Sequence, residues 1–256
     1  MTAYFLSDVH LRLDHPERGR RLARLVDQLG PDDPLTIVGD LCDFWYASRQ
    51  RGTDPNACEG LRALAAFRAR GGAIAILPGN HDLWLGPFYE TTIGARFVSE
   101  PMRLDVHGLR LHLVHGHLLG ARRAWKSFME SRSFLEAFQA LPAPAAETFD
   151  RMLEHSNSRK LNDSDQRHLA AYRRYADSIR GQADLIVIGH VHTPSDAPVA
   201  GSRMVVLGGW HHRSSYLKID ETGATLVVED DPDDVETGRA PVVRERLAST
   251  GDRGGP

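Results

Sequence analysis

The chain has 256 residues, 41% of them apolar, and a formal charge of -3 at neutral pH. That length holds one large domain with an inserted piece, and the mildly acidic balance excludes a generally basic nucleic-acid binder. The charge is uneven, since eight acids and no Lys or Arg lie between Asp220 and Glu236; the remainder is net +5, which suits an anionic substrate.

Two cysteines, Cys42 and Cys58, give no disulfide framework and point to a reducing compartment. The apolar run at 3–6 stops at Ser7-Asp8, so no signal peptide is expected. No stretch approaches the roughly 18 apolar residues of a spanning helix. A cytoplasmic protein is therefore expected, with any membrane contact peripheral.

Ala3-Tyr4-Phe5-Leu6 reads as a short strand ending at Ser7-Asp8-Val9-His10. Leu22, Leu25, Val26 and Leu29 recur at helical spacing over 17–29, and Pro31 and Pro34 end that helix. Leu35-Thr36-Ile37-Val38 is a buried parallel strand delivering Gly39-Asp40 to its C-terminal end, where open α/β sheets bind ligands. A helix over 57–70 turns Leu61, Leu64, Ala65 and Ala66 inward and closes at Gly71-Gly72. Strand 73–77 then leads into Pro78-Gly79-Asn80-His81-Asp82.

Beyond residue 100 the pattern changes. Residues 103–106 and 110–114 flank His107-Gly108 as a hairpin whose second strand ends at His115-Gly116-His117. Residues 121–180 are helical in character. Strand 184–188 ends at Gly189-His190-Val191-His192, and β segments follow at 203–207, 215–219 and 224–228. The sequence after 229 is acidic, then rich in Arg, Gly and Pro, and is expected to be disordered. The order predicts an α/β sandwich with mixed sheets, interrupted by a helical insertion.

Five β segments thus end in groups able to bind metal: Asp8-x-His10, Asp40, Asn80 with His81, His115-x-His117 and His190-x-His192. Any one of these is most simply a turn. Together they hold six of the thirteen histidines, and five such ends are not five unrelated turns. In an extended chain residues i and i+2 face the same way, so each Asp-x-His or His-x-His aims two side chains at one place. Carboxylate, amide oxygen and imidazole without thiolate suit Mn, Fe, Zn or Co. The set exceeds one ion's needs and fits two ions about 4 Å apart, with Asp40 as the natural bridge.

In that order, Asp8-x-His10, Gly39-Asp40, Gly79-Asn80-His81-Asp82, His115-Gly116-His117 and Gly189-His190-Val191-His192 resemble the calcineurin-like metallophosphoesterase superfamily. The resemblance implies a four-layer α/β/β/α sandwich over 1–229 with a helical cap insertion at about 118–180. It implies Asp8, His10, Asp40 and His192 around one divalent ion, and Asp40, Asn80, His115 and His190 around another. Mn²⁺ is the first choice for both. His81 is then no ligand; it contacts the phosphate or protonates the leaving group, held by Asp82. A hydroxide between two such ions attacks phosphorus in line.

A narrower resemblance, over about 1–229, is to the UDP-2,3-diacylglucosamine diphosphatases of lipid A synthesis. It rests on the Trp of Gly39-Asp40-Leu-Cys-Asp-Phe-Trp45, on Gly208-Gly209-Trp210-His211 and on Ser156-Asn-Ser-Arg-Lys160. It implies cleavage of a UDP-linked glycolipid to UMP and a lipid monosaccharide phosphate at the cytoplasmic face of the inner membrane. Expected substrate contacts are Asn80, His81, His190, Arg122, Arg123, Ser156, Arg159 and Lys160. Trp125, Phe128, Met129, Leu135, Phe138 and Leu141 recur at helical spacing and would pack on the main domain or receive acyl chains. The chain departs from the best-known branch at His81, where that branch has Arg, and at His117, where it has Asp. The acidic pair that branch carries after the Trp is replaced by Tyr46-Ala47-Ser48-Arg49.

Overall fold

The structure, a computed structural model, describes residues 1–43, 55–119, 128, 131–142, 144, 145, 148, 161–211 and 213–230. Strands β1 (Ala3–Leu6), β2 (Leu35–Val38), β3 (Ile74–Leu77) and β4 (Arg96–Phe97) run parallel. The antiparallel pair β10 (Arg213–Asp220) and β11 (Gly223–Asp230) extends them to a six-stranded sheet in the order β11-β10-β1-β2-β3-β4. A second sheet runs β5 (Met102–Val106), β6 (Leu109–Val114), β7 (Leu185–Ile188), β9 (Ser202–Val206) and β8 (Ser195–Val199), with β6, β7 and β9 parallel.

The strands' two-residue period sets the layers. Ala3, Phe5, Val38 and Leu77 meet Leu111, Leu113, Val187 and Val205 in a core between the sheets. Leu6, Leu35, Ile37 and Ile76 face the other way, onto helices α1 (Pro16–Asp27), α2 (Glu59–Ala69) and α3 (Gly86–Ile93). On the far side, Val114, Ile186, Ile188 and Val206 pack against Tyr172 and Ala176 of α5 (Leu161–Ser178). The four expected layers are therefore present. Helix α5, within the stretch expected to form an insertion, supplies the fourth layer itself; α4 (Arg132–Gln139) lies between it and the first sheet-two strands in sequence.

Several local expectations change. β8 and the two-residue β4 are additional strands. β8 contains Pro198, which an edge position tolerates because it donates no ladder hydrogen bond there. In α2 the inward residues are Leu61, Ala63, Leu64 and Phe67, while Ala66 is exposed. In α1, Arg18 and Arg21 are buried with Leu22 and Leu25. They cap backbone carbonyls of loops above them: Arg18 Nη1 donates to His10 O at 2.9 Å, and Arg21 Nη2 donates to Trp210 O. No described helix is long and apolar enough to cross a membrane.

Candidate metal centre

All five motif blocks sit at C-terminal ends of parallel strands. β1, β2 and β3 deliver Asp8, Asp40 and Asn80 from one sheet; β6 and β7 deliver His115 and His190 from the other. Hydrogen bonds join the two edges at the site. Asp8 Oδ2 accepts from His190 N at 2.8 Å, and His115 Nδ1 donates to Val38 O at 2.8 Å.

The side chains converge by a route other than the extended one expected from the sequence. Asp8, His10, Asp40 and His190 all lie in the left-handed region, at φ 53°, 49°, 53° and 65°. Such residues other than Gly cost of order 1–3 kcal/mol each and cluster at functional sites. The spacing of Asp8 and His10 brings both to one point because each strand end kinks, not because the chain runs on as a strand. The approach is close: a Cβ on Gly79 would lie 2.0 Å from Asp40 Oδ1, so only Gly lets the β3 loop pass the Asp40 carboxylate.

Three groupings have ligand atoms within 4.8 Å of one another: Asp8, His10 and His192; Asp40, His115 and His190; and His10, Asp40 and His81, which overlaps the other two and sets the His81 ring against them. In the first, His10 Nε2 is 3.2 Å from His192 Nε2 and 3.8 Å from Asp8 Oδ1, and His192 Nε2 is 3.7 Å from Asp8 Oδ1. In the second, His115 Nε2 is 3.2 Å from Asn80 Oδ1 and 3.4 Å from Asp40 Oδ2. Asp40 Oδ2 also lies 3.9 Å from His10 Nε2, which places Asp40 between those two groupings. The residues expected from the sequence to hold ions are therefore brought together, with Asp40 beside both sets.

The donor set fits divalent cations. Asp8 Oδ1 is buried with no hydrogen-bond partner, so the carboxylate faces the cluster with an oxygen left over. Donation from His115 Nδ1 to Val38 O directs the other nitrogen at Asp40 and Asn80, the arrangement a ligating His needs. Burial holds His190 well below the usual imidazole range and His192 down at about 3, so both are neutral donors. Burial opposes charge on Asp40, but His115, His81 and His10 outweigh it and hold the carboxyl well below the carboxylate range.

One expected contact is corrected. Asp82 does not hold the His81 ring. Its Oδ1 accepts from Gly79 N and its Oδ2 from Leu41 N and Tyr89 Oη, all at 2.8 Å. Asp82 thus braces the β2 loop against the β3 loop. The acid on His81 is Asp43, whose Oδ1 is 2.6 Å from His81 Nδ1. Arg12 in turn donates to Asp43 Oδ2 at 3.3 Å. Burial disfavours the His81 cation, but Asp40 and Asp43 outweigh it and raise the ring to about 9. The backbone N–H of His81 donates to Asp40 Oδ1 at 2.8 Å, so its ring stands beside the cluster, 4.7 Å from that of His10.

Other imidazoles gather around the groupings. His117 is buried, 5.2 Å from His115 and 6.3 Å from His190 between ring centres, and belongs to none of the groupings. His168 of α5 stands edge-on to His190 at 5.0 Å, and His211 lies 4.6 Å from His192. Neither follows from the strand-end pattern. Arg122, Arg123, Trp125, Met129, Ser156, Arg159, Lys160 and the stretch 45–49 lie outside the described residues, as does the tail after residue 230.

A family model for calcineurin-like phosphoesterases matches residues 1–194, and the chain belongs to that family. A UDP-2,3-diacylglucosamine hydrolase of Xanthomonas campestris pv. campestris is 30% identical over 244 residues, covering 88% of this chain and 98% of that protein. One from Stenotrophomonas maltophilia is 27% identical over the same extent. Among solved structures, an archaeal phosphodiesterase superposes with a TM-score of 0.46 at 14% identity, over 89% of this chain and 99% of that one.

Proposed function

We propose that this phosphoesterase hydrolyses the pyrophosphate bond of UDP-2,3-diacylglucosamine, releasing UMP and 2,3-diacylglucosamine 1-phosphate. The observation that carries the reading is full-length similarity to hydrolases of that name, spanning 98% of the relative in Xanthomonas. It is supported by clusters of Asp and His side chains at the strand ends that could hold metal ions.

In this reading Asp8, His10, Asp40 and His192 hold one ion, and Asp40, Asn80, His115 and His190 the other. Mn²⁺ is the proposed native metal, as the mixed oxygen and imidazole set suits it. Two such ions supply Lewis-acid charge for the phosphoryl oxygens and lower the pKa of a bound water. The chain's own part is positional and protonic. Asp43 fixes His81 Nδ1, which leaves Nε2 to carry the proton given to the departing oxygen. Asn80, His81 and His190 would also touch the phosphates, with Arg122, Arg123, Ser156, Arg159 and Lys160 taking the remaining polar groups.

The insertion from about 118 would form the cap over the sandwich of 1–229, with α5 anchoring it. Trp84, Leu118 and Phe128 are exposed although large and apolar; the first two follow the site loops directly and the third precedes α4. They suit acyl chains and a peripheral contact with the cytoplasmic membrane face. Phe128, Phe134 and Phe138 form a row, 5.4 Å and then 6.1 Å between ring centres, running from exposed to buried. Phe138→Ala should then lower stability by about 3–5 kcal/mol, as for a core aromatic. Phe128→Ala should leave the melting temperature alone and raise KM for the acylated substrate only. Calorimetry and kinetics with the lipid substrate, its deacylated analogue and an aryl phosphodiester separate these outcomes. Equal turnover of acylated and deacylated substrate by every cap variant would remove the lipid assignment.

Ion uptake should also release protons. Burial disfavours a charged His115, yet Asp40 and Asp8 outweigh it and raise the ring to about 10. Without an ion its Nε2 is therefore protonated at neutral pH. An ion must displace that proton, so affinity should rise with pH up to about 10. Titration calorimetry in buffers of different ionisation enthalpy should give different apparent heats; identical heats would contradict the assignment of His115.

A further inference from the structure

We propose that His211 is a positioning residue for the first ion, acting through the ring of His192. The inference rests on the two-ion reading above and concerns a residue that supplies none of its ligands. His192 needs a wall. Its side chain is 33% exposed, against 4% for His10 and 0% for Asp8, so it is the one member of its grouping that solvent leaves room to rotate. Its working nitrogen must nevertheless stay 3.2 Å from His10 Nε2 and 3.7 Å from Asp8 Oδ1.

His211 closes that open side. Its ring centre is 4.6 Å from that of His192 at an interplanar angle of 35°, and 5.4 Å from that of His10. Among the described residues, the aromatic rings that the His211 ring faces are those two imidazoles.

The turn that carries His211 is fixed from every side. Gly208 takes φ 81°. Gly209 lies so close to His192 that a Cβ there would sit 2.9 Å from its Cγ, so the backbone itself forms part of the wall. Gly209 N donates to His192 O at 3.0 Å and Trp210 N to Asp8 O at 3.1 Å, tying the turn to two residues of the grouping. Trp210 is fully buried, and its Nε1 donates to Ser215 O at 2.9 Å. The buried Arg21 guanidinium reaches up from α1 to Trp210 O and, at 3.1 Å, to His211 O. A mere surface turn needs none of these ties. Together they set one ring against another.

The test compares the unsubstituted full chain with His211→Ala and His211→Phe. Each is loaded with Mn²⁺, and the two dissociation constants are measured by competition with a chelator, with melting temperature as the folding control. A ring packed against an aromatic neighbour is worth roughly 2–12-fold in an equilibrium constant. His211→Ala should therefore weaken one of the two ions by about that factor and leave the other as it was. His211→Phe, which restores a flat ring without nitrogens, should recover most of the loss. Two unchanged constants in the Ala variant would overturn the proposal, as would a folded Phe variant as weak as Ala. Failure of the unsubstituted chain to take up two ions would overturn the two-ion reading as well, which separates the two failures.

Discussion

Asp40→Asn is expected to lower turnover by several orders of magnitude and to reduce the ions held per chain. Asp40 stands between the groupings, with Oδ2 3.4 Å from His115 Nε2 and 3.9 Å from His10 Nε2, and Oδ1 accepting from His81 N at 2.8 Å. The carboxylate is buried, so no water replaces a lost interaction. An amide has one acceptor and one donor. Whichever way it turns, a donor faces either the His81 N–H or the place where two cations would share the charge. Removing one partner from a buried charged cluster is among the most costly changes available to a protein. Elemental analysis and steady-state kinetics at saturating Mn²⁺ check this, and near-normal turnover would remove Asp40 from the centre.

His81→Ala should behave differently, losing turnover while keeping both ions. General acid–base groups are typically worth about 10²–10⁴-fold, and the loss should fall in that range. The Asp43 contact adds a finer test. The negative charge of Asp43 helps hold the His81 proton, so Asp43→Asn should lower the ring's pKa. A proton donor fails when it is deprotonated, so the basic limb of the pH–rate profile should move to lower pH in Asp43→Asn. Loss of an ion from His81→Ala, or an unmoved basic limb in Asp43→Asn, would show that His81 has another role.

The strand ends were legible in the sequence because a buried strand is short, apolar and stops abruptly where a polar group is delivered. That reasoning found Asp8, Asp40, Asn80, His115 and His190 without help from the fold, and it also found the mixed sheets. It fails where the signal is of another kind. β8 begins Ser-Asp and contains Pro198, so it lacks the alternation of a half-buried strand. α3 begins Gly-Pro and spans only Gly86–Ile93, too short for a clear period. Arg18 and Arg21 share the inward face of α1 with Leu22 and Leu25, and a pattern that treats every Arg as solvated hides their carbonyl-capping role.

The role of Asp43 was hidden for a related reason. An acid three residues past Asp40 has no period that marks it, and it becomes a partner of His81 only when the β2 and β3 loops are laid side by side by Asp82 and Tyr89. Asp82, adjacent to His81 in sequence, was the natural choice for that contact and is spent on backbone N–H groups. His211 is likewise joined to His192 only through the Gly208–Trp210 turn. Chain order reveals which groups a strand delivers; it does not reveal which loops lean on one another.

The most direct test of the central claim is product analysis by mass spectrometry after incubating the purified chain with UDP-2,3-diacylglucosamine and Mn²⁺. The account predicts equimolar UMP and 2,3-diacylglucosamine 1-phosphate, abolished by a chelator and by Asp40→Asn. An intact substrate with the ions bound, or the same products in the presence of chelator, would contradict it.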